Sequence, residues 1–320
     1  MKIAFTSCCD PHNDKTQVAW LELAKHNPDI LVLLGDNMYM DYGFKPNPIQ
    51  LGASMLLDPP DFAKHMYENY AAQWAVPSFH AAITKIPKTY AIWDDHDFAR
   101  NNGRGEGTVC ACEKPTKCKC EYVPPIYREI SRTLFEQFRN ALITKPTATA
   151  YPINQYPTGM PMTLTGNPYV GIEKTIDLIP DQIRLYLLDG RSFRSDTKKT
   201  ESLLGVDQKN LLQATLSEPN IIHLIASGTT LNDWNNYNDY EWLQSLSGDK
   251  KIVVLSGDVH QPLIQKHGRI FEFTASAMAQ PAKITKIFGR ESNIFGILDI
   301  NQSNIKTDIF QLKKDRKSVV

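Results

Sequence analysis

Four apolar runs in this sequence each lead directly into residue types that bind metal ions. In chain order, the runs and the residues that follow them are KIAFTS (2–7) before Cys8 and Cys9, DILVLLG (29–35) before Asp36, TYAIW (89–93) before Asp94, Asp95, His96 and Asp97, and KIVVLSG (251–257) before Asp258 and His260. An apolar run of this length, bounded by polar and turn residues, predicts a buried β-strand. In open α/β sheets, ligands bind beyond the carboxyl ends of the strands. The pattern therefore predicts one shared metal site at the ends of four strands.

The order of the predicted elements indicates the fold class. In the first half of the chain, predicted strands alternate with predicted helices at 16–26, 61–74 and 127–142. In the second half, a helix at 207–216 stands among predicted strands, which lie at 171–176, 183–189, 221–227, 252–256, 269–275, 295–300 and 305–312. Two packed sheets with helices outside them fit this order. We therefore expect an α/β protein built as a four-layer α/β/β/α sandwich of two mixed sheets.

Length and composition limit the domain count and the class of partner. The 320 residues are 42% hydrophobic, which is enough for a large core. We see no repeat and no dividing linker, so we expect one catalytic domain over 1–312, with a Cys-rich insertion loop at 101–125 and a charged tail at 313–320. Basic and acidic residues number 35 each, which removes the general electrostatic case for a nucleic acid or membrane-surface partner.

The start of the chain bears on its location. Met1 and Lys2 lead directly into a predicted strand, without the apolar core of a signal peptide. No apolar stretch approaches the roughly 20 residues that a membrane helix needs, so no membrane span is expected. We therefore expect a cytoplasmic protein, or an exported one if a leader has been removed. The sequence carries no indication of the oligomeric state.

The polar residues at the strand ends have the chemistry of a metal site. A carboxylate such as Asp36 can bridge two cations, and Tyr39 can reach the same ion if the loop turns back. The run of three carboxylates and one imidazole at 94–97 is unfavourable without cations to neutralise it. Carboxylates suit calcium, magnesium or manganese, while imidazole suits zinc, iron or copper. Each motif alone is commonly structural, since an Asp after a strand often caps a helix, but their joint placement favours a metal site.

Five motifs together resemble those of the PhoD-like alkaline phosphatases and phosphodiesterases, within the calcineurin-like metallophosphoesterases. They are, in chain order, Ser7-Cys8, GD-x-x-Y at 35–39, W-D-D-H-D at 93–97 with Asn101-Asn102 following, LDGRSFR at 188–194 and SGDVH at 256–260. The resemblance implies a four-layer sandwich with a site for Fe³⁺ and Ca²⁺; Zn²⁺, Mn²⁺ and Mg²⁺ are the alternatives. It also implies metal-dependent hydrolysis of small phosphate mono- and diesters by a metal-bound hydroxide.

The resemblance implies a role for each matching residue. The metal ligands would be Cys8 or Cys9, Tyr39 and His260 on iron, Asp95 and Asp258 on calcium, and Asp36 between the two metals. The segment at 225–230 lacks the histidine that the wider superfamily has there, so the second metal should have oxygen ligands.

The remaining motif residues would serve the reaction around the metals. His96 would be the acid near the leaving group, while Arg191 and Arg194 would clamp the phosphate oxygens, with surface salt bridges as their ordinary alternative. The residues expected to support the ligands from behind are Asp94, Asp97 and Asn101. Two cations about 3.5–4 Å apart would lower the pKa of a bound water and hold the phosphoryl group for in-line attack.

Four further cysteines form a C-x-C-x5-C-x-C cluster, which is not part of the motif set. They are Cys110, Cys112, Cys118 and Cys120. They could hold a structural Zn²⁺, although C-x-C is tight for zinc, form two disulfides, or remain free thiols. Because this loop follows the W-D-D-H-D strand, we expect it to lie near the mouth of the site.

Rival functions remain within and outside this enzyme class. Within it, the chain could be a phosphodiesterase directed at phospholipids or nucleotides. Outside it, the chain could be an inactive metallophosphoesterase-fold binding protein, which is disfavoured because the expected ligands are all in the sequence. A thiol-based redox or metal-storage protein would leave the carboxylates unexplained. The polar and aromatic segment at 231–240 is either a lining of the substrate cleft or an ordinary surface loop.

Overall fold

The computed structural model describes residues 1–40, 58–107, 121–152, 170–218, 220–280, 293–301 and 304–312. The strands are β1 (Lys2–Thr6), β2 (Ile30–Leu34), β3 (Lys88–Ile92), β4 (Lys174–Ile179), β5 (Ile183–Leu187), β6 (Ile222–Ser227), β7 (Lys251–Ser256), β8 (Pro262–His267), β9 (Ile270–Ala275), β10 (Ile294–Ile300) and β11 (Ile305–Gln311). The helices are α1 (Ala19–Lys25), α2 (Pro59–Trp74), α3 (Pro77–Lys85), α4 (Asp95–Phe98), α5 (Pro125–Thr144), α6 (Val206–Leu216), α7 (Leu231–Trp234) and α8 (Asn238–Ser247). The cysteine cluster and the tail at 313–320 lie outside the described residues.

The first sheet brings three of the motif loops to one edge. Its five strands have the order β11-β10-β1-β2-β3. Strands β1, β2 and β3 are parallel, while β10 and β11 continue the sheet in antiparallel pairing. All five residues of β2 are buried, as expected for a parallel strand that is covered on both faces. The loops that carry Cys8, Asp36 and Asp94 therefore leave the sheet at the same edge.

The second sheet contributes the last motif. Its six strands have the order β4-β5-β6-β7-β9-β8. Strands β5, β6, β7 and β9 are parallel, and the antiparallel strands β4 and β8 form the two edges. Asp258 and His260 follow the end of β7, which lies inside the sheet.

The two sheets and the helices form four layers. The sheets face each other, with β1 and β10 against β9 and β2 against β6. On the outer side of the first sheet, α1 packs on β10 and α5 packs on β3. A separate apolar cluster joins the outer face of the second sheet to its helices, and it includes Val254, Leu212 of α6, Trp234 of α7 and Leu243 of α8. This arrangement confirms the expected α/β/β/α sandwich of two mixed sheets.

Several element boundaries differ from those predicted. The helix expected at 61–74 begins at Pro59 and has Asp58 as its N-cap residue, so Asp61 lies in the first turn instead of capping the helix. Proline is well suited to this first helical position because its missing N–H would have no partner there. The first strand of the predicted pair, expected at 171–176, lies at Lys174–Ile179. Among the described helices, none is both long and apolar enough to cross a bilayer.

Candidate metal centre

The turns at the strand ends place four candidate ligands in an unusual backbone conformation. Cys8, Asp36, Asp258 and His260 have φ angles of 59°, 50°, 68° and 52°. A left-handed backbone at a non-glycine residue costs about 1–3 kcal/mol, and such residues cluster at functional sites. The N–H of Cys8 donates to the carbonyl oxygen of Gly35 at 3.2 Å, which ties the first two turns together. Four of the ten described non-glycine residues with positive φ angles are therefore candidate ligands.

One end of the centre combines sulfur, imidazole, phenol and carboxylate. The Sγ atom of Cys8 and the hydroxyl of Tyr39 lie 3.4 Å and 3.3 Å from the same Asp36 oxygen, Oδ2. The Tyr39 hydroxyl also lies 3.4 Å from Nε2 of His260. Ligands at 2.0–2.3 Å around one tetrahedral ion lie roughly 3.3–3.8 Å from one another. These side chains are therefore spaced as the ligands of one ion would be.

The other end of the centre is a group of carboxylates. Ligand atoms of Asp36, Asp94, Asp95 and Asp258 all lie within 4.8 Å of one another. Asp36 belongs to this group and, within the same distance limit, to a group with Cys8 and His260. Asp258 is half-buried and the other three carboxylates are buried. The arrangement offers two adjoining cation positions that share Asp36.

The electrostatics of the centre favour either protonated carboxylates or bound cations. Burial, followed by repulsion from Asp95, raises the pKa of Asp36 well above its usual value. Burial and the neighbouring Asp94 and Asp95 raise the pKa of Asp258 to about 7. Burial and nearby His96 lower the pKa of His260 to about 4, which leaves that imidazole in the neutral form that binds metals. The carboxylates cannot all ionise together without cations, so the donor set fits a pair of metal ions.

The pKa values of the Cys8 thiol and the Tyr39 phenol are also raised in the absence of cations. Burial and the carboxylate of Asp36 raise the pKa of the Cys8 thiol well above its usual value. Burial also raises the pKa of Tyr39, with Cys8 adding to the effect. Both groups become anionic ligands only next to a cation.

Of the two adjacent cysteines, only Cys8 joins the ligand groups in the described part of the chain. Cys9 is buried within the main apolar core. Cys8 instead clusters with Tyr39 and Ala277, and its sulfur lies 3.2 Å from the hydroxyl of Ser276. The structure therefore places Cys8 in a candidate ligand group and Cys9 behind it, in the apolar core.

Arg191 neutralises part of the acidic group from inside the protein. Its Nε donates to Oδ1 of Asp94 at 2.6 Å and its Nη2 donates to Oδ2 at 2.8 Å. The side chain is 2% exposed. Asp94 is packed between two glycines, because a Cβ atom at Gly35 or at Gly228 would lie 2.5 Å from it. Nε and Nη2 of Arg191 thus donate to Asp94, whereas the sequence led us to expect that Arg191 would donate to the phosphate of a substrate.

Asp95 and its neighbours form the loop above the carboxylates. Burial alone would raise the pKa of Asp95, but Arg191, His96 and the N–H of Asn102 hold it below its usual range. The Asn102 N–H donates to Oδ2 of Asp95 at 2.6 Å. Asn101, expected to support the ligands, is half-buried in the same turn. These contacts favour the ionised form of Asp95, which is the form in which a carboxylate can bind a cation.

Asp97 supports the centre from behind. It accepts hydrogen bonds from the N–H and the side-chain amide of Asn37, from the N–H of Asp94 and from the hydroxyl of Tyr70. Burial raises the pKa of Asp97 to about 7 in spite of these bonds. The side chain therefore ties the loop after β2 to the loop after β3.

His96 lies between the two ends of the centre. The side chain is half-buried, and its ring lies against that of Tyr39 with the centroids 4.1 Å apart. A ring nitrogen also lies within 4.8 Å of the oxygens of Asp36 and Asp95. The imidazole can therefore face either a cation or a substrate oxygen. His12, which also follows the first strand, contacts Asn69 at 2.7 Å instead.

A polar cavity of about 180 Å³ adjoins the carboxylates. It is lined by Asn102, Arg104, Glu121, Arg191, Arg194, Thr197, Asp233, Tyr237 and Asp258. Arg194 forms an ion pair with Asp233, and its Nε donates to the hydroxyl of Tyr237 at 3.0 Å. The segment at 231–240 therefore lines this cavity, although it forms α7 and the start of α8 instead of a loop.

Sequence reasoning overlooked two residues of this neighbourhood. Arg104 lies between Gly103 and Gly105 and is held by Asp196 at 2.5 Å. Thr229, in the segment after β6, directs its hydroxyl to Asp233 at 3.0 Å, and the hydroxyl lies 3.5 Å from a carboxylate oxygen of Asp258. An arginine between two glycines close to a motif is the signal that could have identified Arg104.

Two mixed sheets between layers of helices, with acidic loops at the carboxyl ends of the strands, are consistent with the metallophosphoesterase fold. The solved structure of PhoD has this fold and aligns with 97% of this chain and 69% of its own, with a TM-score of 0.63 and 16% sequence identity. This likeness establishes a PhoD-like fold for the chain.

Other comparisons add no further argument. The protein TT1561 of Thermus thermophilus aligns with 96% of this chain and 97% of its own at 10% identity, with a TM-score of 0.43. A putative 5'-nucleotidase from Staphylococcus aureus aligns with 100% of this chain and 56% of its own at 11% identity, also with a TM-score of 0.43. No family model and no curated protein matches the sequence.

Proposed function

We propose that this protein is a metal-dependent phosphoesterase that hydrolyses small phosphate mono- or diesters at a two-cation site. The observation that supports it most is the shared position of Asp36, which belongs both to the group with Cys8 and His260 and to the group of four carboxylates. Softer donors at one end suit iron or zinc, and carboxylates at the other suit calcium, magnesium or manganese. The proposed pair is Fe³⁺ at the thiol end and Ca²⁺ at the carboxylate end.

The residues of the centre would divide the work of holding the metals. In this proposal Cys8, Tyr39 and His260 bind the first cation, Asp95 and Asp258 bind the second, and Asp36 bridges them. When bound, the cations supply Lewis-acid activation of the phosphoryl group and of the attacking water. The strained turns hold the ligands in place before either cation arrives, which reduces the reorganisation needed on binding.

Arg194 and His96 would act on the substrate. Arg194 lines the polar cavity and is oriented by Asp233 and Tyr237, so its remaining donors can bind phosphate oxygens. His96 would hold a proton at a ring nitrogen for the leaving-group oxygen. Arg191, paired with Asp94, would offset the negative charge of the carboxylates and leave Asp95 free to bind metal.

The test is hydrolysis after controlled metal loading. Protein stripped by a chelator is reloaded with iron, calcium, zinc, manganese or magnesium, singly and in pairs, and assayed with p-nitrophenyl phosphate and bis(p-nitrophenyl) phosphate. The Asp36→Asn variant should lose activity by on the order of a thousandfold, because it removes the shared ligand. Asp249→Asn is the matched control, since that acid is fully exposed outside the centre.

Each outcome has a distinct meaning. The proposal is supported if Asp36→Asn loses hydrolysis while Asp249→Asn keeps it. Two bound cations without hydrolysis of either ester would favour the binding-protein alternative, and full activity in Asp36→Asn would refute the two-cation centre. With iron bound, the protein should show a visible absorption band that weakens and shifts in Tyr39→Phe, the Cys8 thiolate accounting for what remains; a band unchanged in position and intensity would remove Tyr39 from the ligands.

A further inference from the structure

A second cavity lies at the opposite end of the sheets from the metal centre. Its volume is about 520 Å³, and it opens where β6 and β7 begin, beside Asn301 and Asn304. The cavity reaches Lys251 at the first residue of β7, whereas Asp258 follows the last. At about 3.3 Å per residue, the strand places the two sites roughly 20 Å apart. The cavity therefore has no part in the chemistry proposed for the carboxylates.

The floor of this cavity is apolar and partly open to solvent. Ile222, Phe273 and Ile305 are partly buried against the core between the sheets. Phe271 also lines the cavity and is 45% exposed, which is unusual for a large aromatic side chain on a strand. The inner faces of the sheets thus reach solvent here. Cavities of roughly 300–1,000 Å³ with apolar walls and few polar groups are typical of small-molecule sites.

The rim of the cavity is basic. Its charged lining residues are Asp249, Lys250, Lys251, Lys266 and Arg269. Arg269 donates to Asp249 at 2.8 Å, so these two charges offset each other and three lysines remain. The Nζ atom of Lys266 lies 5.4 Å from the centroid of the Phe271 ring. Positive charge is therefore concentrated beside the exposed aromatic floor, in a chain whose formal net charge is zero.

We propose that this cavity, lined by the starts of β6 and β7 and by Asn301, Asn304 and Ile305, binds a small amphipathic anion. The ligand would place an aromatic or short aliphatic body on Phe271 and Phe273 and one acidic group, such as a carboxylate or sulfonate, at Lys251 and Lys266. A neutral apolar ligand would leave the lysines unused, and a simple inorganic anion would leave the apolar floor in water. This site is independent of the proposed phosphoesterase function.

The experiment uses 1-anilinonaphthalene-8-sulfonate, which combines an aromatic body with one sulfonate. Its fluorescence is titrated against the full chain and against Lys251→Glu and Lys266→Glu, both at exposed positions. Each Lys→Glu replacement changes the local charge by two units. In water, each unit of charge about 6 Å from the sulfonate contributes roughly half of the free energy of a tenfold change in affinity, so each replacement should weaken binding by about tenfold. Lys64→Glu makes the same change of net charge at an exposed side chain of α2, and this variant should bind the probe as the parent protein does.

The outcomes distinguish binding at this cavity from non-specific binding of the dye and from binding at the metal centre. Saturable binding of one probe per chain, weakened at the two rim positions and also by Phe271→Ala, supports the proposal. Thermal melts confirm that each variant is folded. Non-saturable fluorescence, equal weakening by Lys64→Glu, or equally tight binding of the uncharged dye Nile red would overturn it. Binding should persist after chelation and in Asp36→Asn, so failure here and failure of the phosphoesterase proposal are distinguishable.

Discussion

The buried pair of Arg191 and Asp94 offers the sharpest test of how the acidic centre is held together. In Arg191→Met the side-chain length is nearly kept, but both donors to Asp94, at 2.6 Å and 2.8 Å, are lost. The Asp94 carboxylate then lies buried beside Asp95 without its counter-charge. The metal-free protein should therefore become markedly less stable.

The expected size of this loss follows from the burial of both partners. Removing one member of a buried ion pair costs about 3–5 kcal/mol, against a typical domain stability of about 5–15 kcal/mol. For 320 residues, with an unfolding entropy of about 2.1 cal/mol/K per residue, this corresponds to a fall in Tm of roughly 4–7 °C. Adding Asp94→Asn should restore about 1–3 kcal/mol, because it removes the unpaired charge.

The assay is urea unfolding of the metal-free proteins at pH 8 and at pH 5. Burial raises the pKa of Asp94, so at low pH the unpaired carboxylate takes up a proton and the loss should shrink. Arg269→Met is the matched control, since that arginine pairs with a fully exposed acid and should change stability little. Two results would refute this reasoning. One is that Arg191→Met lowers the free energy of unfolding at pH 8 no more than Arg269→Met does. The other is that Asp94→Asn, added to Arg191→Met, lowers stability further instead of restoring part of it.

Three further predictions concern the cations and protons of the centre. Cys8→Ala should lose the cation at the thiol end while Cys9→Ala keeps both, as counted by elemental analysis; loss of an ion from Cys9→Ala alone would reverse that assignment. If the free cation concentration is a hundred times the Kd of a site, removing that cation by chelation should lower the free energy of unfolding by about 2.7 kcal/mol, as measured by urea titration. An unchanged urea midpoint would mean that no cation binds the folded state. In metal-free protein, stability should fall as the pH rises from about 4 to about 7. Asp97 and Asp258, with pKa values near 7, keep protons there that the unfolded chain releases near 3.9. The raised pKa values of Asp36 and Asp94 add to this trend, whereas the lowered pKa values of His260, at about 4, and of His223 oppose it, so rising stability over this range would refute the prediction.

The sequence predicted most strands of the sheet interiors because strands such as β2 and β5 are buried on both faces. A continuous apolar run such as ILVLL in β2 has few alternatives to a central strand. The edge strand β8 was not predicted, because it alternates between exposed and half-buried positions and contains charged residues. Helix α3 was also missed, since its nine residues include polar side chains that give only a short apolar stripe.

The composition of the candidate site was readable from the sequence, since parallel strands bring their carboxyl ends to one edge. Their positions at strand ends predicted that Asp36, Asp95, Asp258 and either Cys8 or Cys9 would converge, and in the structure Cys8 and the three carboxylates fall into candidate ligand groups that share Asp36. What the residues would do there remains a proposal for the experiments above. The cysteine cluster lies outside the described residues and stays a prediction.

The sequence by itself determined the layers of the fold and the chemical types gathered at the strand ends, because burial and periodicity act over short stretches of chain. Only the tertiary structure decided which atoms meet. It placed Cys8 at the centre and Cys9 in the core, and it joined Arg191 to Asp94 across 97 positions of sequence. It also formed a cavity with an apolar floor and a basic rim at the starts of β6 and β7. Such pairings depend on the packing of one sheet against the other, which local sequence patterns do not encode.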